Sequence, residues 1–169
     1  MKKGIITLVF ASISVLAYAQ KQLPDINLKT LEGKPINAKQ LAQKDKITVI
    51  NFWATWCAPC QKELTAIAPK YDSWQKNYNA EIVAVTIDNA QGLPKVKPMV
   101  AQKRWKYTIV SDVNSQLLNQ LGGQNVPFTV VVDQKGNIVY THNGYKDGDE
   151  LELEKKLRSE ERRVGKECA

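Results

Sequence analysis

Cysteine is scarce in this sequence, with three in 169 residues, and histidine occurs once, at His142. Two thiols close together and one distant imidazole make a poor zinc set, so no metal is expected. Nor does any motif pair His142 with a cysteine in a triad; it reads as a surface residue at a strand end. So few cysteines also leave no structural disulfide framework. An arginine-rich block with interleaved aromatics is missing, which argues against nucleic acid as a partner and makes the scattered lysines a solvated surface. Long apolar runs are missing too. The one candidate, Ile5 to Leu16, is too short to span a bilayer comfortably. No internal repeat or low-complexity linker divides the chain.

That apolar run belongs to a segment laid out as a secretory signal. Lys2 and Lys3 precede it, and Ala17-Tyr18-Ala19 follows as a small-x-small cleavage site before Gln20. The alternative is an uncleaved anchor. No cysteine is placed to take a lipid, so residues 1–19 are expected to be removed from an exported, soluble, periplasmic protein. At the other end, Arg158-Ser-Glu-Glu-Arg-Arg-Val-Gly-Lys-Glu-Cys168 resembles the in-frame translation of a widely used DNA-sequencing adapter. Residues 158–169 are therefore expected to be a non-native tail, with a genuine charged helix extension as the alternative. The whole chain carries a net charge of +7; without the two lysines of the leader and the net +1 of the tail, residues 20–157 carry +4. That length suits one domain with a sizeable core.

What remains is arranged around Val49-Ile-Asn-Phe-Trp-Ala-Thr-Trp-Cys-Ala-Pro-Cys60. A short apolar run rich in β-branched and aromatic residues reads as a buried strand, and it ends abruptly in a C-x-x-C pair at the first turn of a helix. Two thiols at that spacing can close a small disulfide ring. Cys57 is the better nucleophile, because unpaired N–H groups and the positive end of the helix dipole favour a thiolate there. Cys60, one turn inside, is the natural resolving thiol for thiol–disulfide exchange. No cofactor is implied beyond the cysteines themselves.

Leu23 to Asn37 reads as short strands about a turn at Gly33, covering a sheet edge or offering a docking surface. After Cys60, apolar residues at Leu64, Ile67, Ala68, Tyr71 and Trp74 recur at helical spacing, and Pro69 should kink that helix. Strands are expected at Glu81–Asp88 and Tyr107–Val110, with helices at about Lys95–Trp105 and Ser115–Leu121, the last ending in Gly122-Gly123. Such alternation implies parallel strands joined by crossovers. Phe128–Asp133 and Asn137–His142 then form a hairpin about Lys-Gly, and Asp147 and Glu150 have capping-box spacing at the start of a final helix through Leu151, Leu153 and Leu157.

The segment Trp53-Ala-Thr-Trp-Cys-Ala-Pro-Cys60, together with Val126-Pro127-Phe128-Thr129, resembles the thioredoxin superfamily, specifically its extracytoplasmic TlpA/ResA-like branch, over about Leu23 to Leu157. A bare C-x-x-C would be a weak signal, since zinc sites share the spacing. The resemblance implies an α/β thioredoxin-like fold: a mixed central sheet flanked by helices, an N-terminal β-hairpin and a central strand-helix insertion. It also implies a cis peptide before Pro127, with backbone groups of Val126 pairing an extended substrate, and substrate contacts at Trp56, Ala58, Pro59, Val126 and Pro127. The branch has threonine directly after this proline, whereas here Phe128 intervenes, which affects the shape of the groove. Many thioredoxins carry a buried aspartate where this chain has Asn51, and an amide cannot ionise. The branch typically has a carboxylate at the position of Glu63, which would then move the proton at Cys60; the alternative is a solvated first-turn glutamate.

The leading function is thus a monomeric, exported thiol–disulfide oxidoreductase using Cys57, Cys60 and Glu63. Ala58-Pro59 puts no charge between the cysteines to stabilise the dithiol form, which favours a reductant of protein disulfides. The implied partners are a membrane-embedded thiol reductant and exported substrates, apocytochrome c among them. A disulfide oxidase or isomerase, and a redox-inert binding module clipped by its disulfide, remain as alternatives. A peroxidase resembling peroxiredoxins is disfavoured by the C-x-x-C.

Overall fold

The computed structural model describes residues 21–167, with side chains through residue 163. The expected leader, residues 1–19, and Cys168 lie outside the described residues. Seven strands form one mixed sheet: β1 (Asn27–Thr30), β2 (Pro35–Asn37), β3 (Ile47–Trp53), β4 (Ala80–Thr86), β5 (Thr108–Ser111), β6 (Phe128–Val132) and β7 (Ile138–Asn143). Their spatial order is β2-β1-β5-β4-β3-β6-β7. β3, β4 and β5 are mutually parallel, as the alternation of strands and helices requires. The remaining pairs are antiparallel, with β1 extending the sheet at β5 and the β6–β7 hairpin extending it at β3.

Every residue of β3 is buried, because helices cover one face of this inner strand and the amino-terminal segment with a short helix covers the other. Its alternation sorts the core in two. Ile47, Val49 and Trp53 face α1 (Ala58–Tyr78), α2 (Leu93–Lys103) and α4 (Asp149–Glu167), and meet Leu64, Ile67, Trp74, Val96 and Leu157. Ile50 and Phe52 face the other way, onto Leu23, Ile26 and Leu41 of the amino-terminal segment and onto Leu117 of α3 (Gln116–Gln120). Asn51 falls on the α1 face by the same count. It is the one polar residue there on β3.

α1 spans Ala58–Tyr78 with Pro69 inside it, as the spacing of its apolar residues leads one to expect. Thr65 and Pro69 are both exposed, so the carbonyl that Pro69 cannot bond faces water. α2 starts two residues earlier than predicted, with Pro94 in its first turn, and stops at Arg104 in the left-handed conformation. Trp105 thus leaves the helix and packs edge-on against Trp53, ring centroids 5.3 Å apart. The final helix opens at Asp149 and not from a box on Asp147: Asp149 accepts a hydrogen bond from the Lys146 N–H (2.7 Å) and Glu150 from the Gly148 N–H (3.1 Å). α4 continues through residues 158–167, as a sequence rich in Glu and Arg does whatever its origin. At the end of α3, a side chain on Gly123 would collide with Leu118 and Phe128, so this position requires glycine.

Candidate active site

The sheet delivers β3 to the amino end of α1 through a turn that one carboxylate holds. Asp88, fully buried just past β4, accepts from the Thr55 N–H (2.8 Å), the Thr55 hydroxyl (2.7 Å) and the Thr86 hydroxyl (2.6 Å). Gly92 lies against this carboxylate, and a Cβ there would sit 2.6 Å from its Oδ1. Gln61 closes the turn from the helix side, donating to the Thr55 carbonyl (2.8 Å). Sequence reasoning passed over Asp88, whose only visible sign is an acid at the end of a buried strand.

Past that turn, Cys57 is the N-cap of α1 and Pro59 lies in its first turn. Cys57 and Cys60 are joined in a disulfide, with Cα atoms 5.3 Å apart. The Cys57 sulfur accepts a hydrogen bond from the Cys60 N–H (3.3 Å), one of the donors a helix start leaves unpaired. Cys57 retains 4% exposure and Cys60 none, so the first sulfur is the one a partner reaches. Around it Trp56 is 69% exposed, and Ala58 and Pro59 are exposed as well. A groove lined by Ala58, Pro59, Lys62, Tyr145 and Asp147 runs alongside.

The Val126–Pro127 peptide is cis. Neither backbone group of Val126 has a hydrogen-bond partner among the described residues. Phe128, which follows Pro127, turns into the opposite core and packs on Phe52 at 5.9 Å between centroids. Thr129, one residue further, therefore returns to the α1 face.

On that face Glu63 is buried, one turn past Cys60, and not the solvated glutamate of the alternative reading. Thr129 donates to its Oε1 (2.9 Å), and Asn51 Nδ2 donates to the Thr129 hydroxyl (2.8 Å). Burial pushes the Glu63 carboxyl above its ordinary range, opposed by the nearby Asn51 amide, by the hydrogen bond from Thr129 and by His142. His142 lies beside Thr129 in the β6–β7 register and bonds to Asp149 (3.1 Å), so it is more enclosed than a plain surface residue. Among the described residues, no group of three His, Cys, Asp or Glu could hold a metal ion.

Comparison with known proteins matches residues 19–141 to one family. The chain belongs to the AhpC/TSA family. Within this thioredoxin-like family it resembles thiol-disulfide oxidoreductase ResA of Bacillus thuringiensis, with 31% identity over 132 residues that cover 78% of this chain and 73% of that one. Sporulation thiol-disulfide oxidoreductase A of Bacillus subtilis is 25% identical over 162 residues, covering 89% and 96%. The solution structure of a thioredoxin-like protein from Porphyromonas gingivalis superposes with a TM-score of 0.73 and 39% identity, over 81% of this chain and 90% of that one. This AhpC/TSA member is accordingly a thiol–disulfide oxidoreductase with a thioredoxin-like fold, carrying its Cys57–Cys60 disulfide at the amino end of α1.

Proposed function

We propose that the protein is an exported reductant of protein disulfides that works from the periplasm. The observation that carries the reading is the asymmetry of the two sulfurs: Cys57, capping a helix and receiving the Cys60 N–H, keeps 4% exposure, while Cys60 is sealed behind it. In the reduced protein the Cys57 thiolate attacks one sulfur of a substrate disulfide. A mixed disulfide forms and the other substrate sulfur leaves as a thiolate. Glu63 takes the proton of Cys60, whose thiolate then attacks Cys57 and releases the second substrate sulfur. The substrate gains two electrons and the enzyme ends as the Cys57–Cys60 disulfide.

Trp56, Ala58 and Pro59 form the exposed surface on which the substrate rests, and the unpaired N–H and C=O of Val126, before Pro127, accept its extended backbone. The uncharged Ala58-Pro59 dipeptide supports the reducing direction. The resemblance to the ResA-like branch supports a membrane-embedded thiol donor as the partner that recharges the site. The substrates are exported proteins with disulfides, apocytochrome c among the candidates. The working unit is residues 20–157 as a monomer, with the leader removed and residues 158–169 foreign to it.

Reduced protein mixed with an insulin disulfide tests the reading. Turnover should vanish in Cys57→Ser, and Cys60→Ser should accumulate a mixed disulfide through Cys57. Equilibration with glutathione fixes the direction: a reductant stays oxidised in a buffer that leaves a strong oxidant reduced. A Cys60→Ser protein that traps nothing would sink the assignment.

A further inference from the structure

The reaction above uses Glu63 but leaves open which of its oxygens works and what holds it. Asn51 Nδ2 can only donate, so the Thr129 oxygen receives that hydrogen bond at 2.8 Å and the one hydroxyl hydrogen is directed to Glu63 Oε1 at 2.9 Å. The chain of bonds has one sense, from amide to hydroxyl to carboxyl. Thr129 cannot turn away. It is β-branched, buried, and paired to Asn51 on one side and His142 on the other. Glu63 Oε2, by contrast, is buried with no hydrogen-bond partner.

We propose that Thr129 is a positioning residue: its hydroxyl, oriented by Asn51, anchors Oε1 of Glu63 and leaves Oε2 as the oxygen that takes up and returns the proton. A proton on Oε1 would cost the Thr129 hydroxyl its donation across the 2.9 Å contact. On Oε2 it costs no existing bond. The proposal rests on the role of Glu63 in the exchange reaction. The other charged or titratable groups facing Glu63 are His142 and Tyr140 on β7, Asp149 at the start of α4, Tyr107 before β5 and Tyr145 after β7, with the two cysteines on its own helix. A change at Thr129 alters the charge of none of them.

The test is an NMR titration of the Glu63 carboxyl carbon in the oxidised full chain, with the resonance identified by its loss in Glu63→Gln. Thr129→Val removes the donor at equal size and should raise the Glu63 pKa by about one to two units, the worth of a hydrogen bond to a carboxylate. Thr129→Ser, which keeps the hydroxyl, should restore the wild-type value to within a few tenths. An unshifted pKa in folded Thr129→Val overturns the proposal. Should that variant not fold, the wild-type protein decides: a slowly exchanging Thr129 hydroxyl proton that moves as Glu63 titrates supports the anchor, and rapid exchange overturns it. Turnover separates the two readings. If the Glu63 pKa rises in Thr129→Val while the pH dependence of disulfide reduction stays put, Thr129 still anchors the carboxyl and the catalytic use of Glu63 fails.

Discussion

Glu63 sits in the fold at a cost, because its burial favours the neutral form. Its pKa in the folded chain lies above the ordinary 4.5, so the folded state binds more protons than the unfolded one between those two values. Stability therefore falls as pH rises from about 4.5 through the folded pKa. Glu63→Gln should remove that slope: in thermal melts its stability relative to wild type improves as pH rises above about 4.5 and levels off above the folded pKa, and a constant difference would contradict the burial argument. Asp88 offers a second residue-scale expectation. Three donors converge on its carboxylate in the interior, so Asp88→Ala should cost about 2–4 kcal/mol in denaturant unfolding. Gly92→Ala should cost about 1–3 kcal/mol by pushing on the same group. The burial of Glu63 was legible only as one of two alternatives, because its partner Thr129 is 66 positions away and the contact exists only once β6 lies beside β3. Asp88 was illegible for a related reason: two of its three donors come from Thr55, 33 positions earlier in the chain.

At the scale of elements, α1 is held by its apolar stripe and not by an ideal backbone. Tyr71 and Trp74 are buried as their helical spacing predicted. Pro69 interrupts the hydrogen-bond ladder on the exposed side, and the packing on the opposite side carries the helix through. Pro69→Ala should restore the bond to Thr65 and stabilise the protein by about 1–2 kcal/mol, net of the freedom regained by the unfolded chain. Turnover should be unchanged, since the site is at the helix start. A loss of stability in that variant would mean that the proline is needed for the local geometry. Long periodic elements such as β3, α1 and the β6–β7 hairpin were legible because period and turn residues agree. α2 and α4 were placed less well. Their ends are set by a proline in the first turn of one and by carboxylates reaching back to Lys146 and Gly148 in the other, which spacing alone does not order.

Across the whole molecule, one strand divides two cores and ends at the reactive sulfurs. β3 is buried on both faces, while the surface at Trp56 and Pro59 stays open for a partner. A chain ending at Leu157 should fold and turn over disulfides like the full chain. Its expected loss is confined to contacts such as the Lys156–Glu160 and Arg163–Asp133 ion pairs. If the shorter chain failed to fold, residues 158–169 would be part of the domain. In an exporting host the recovered protein should begin at Gln20.

The pH dependence of alkylation in the reduced protein tests the central claim most directly. Cys57 should react as a thiolate with a pKa well below the free-cysteine value of about 8.5. Cys60 should stay unmodified over the same range. Equal reactivity of the two thiols, or a Cys57 no more reactive than free cysteine, would contradict it.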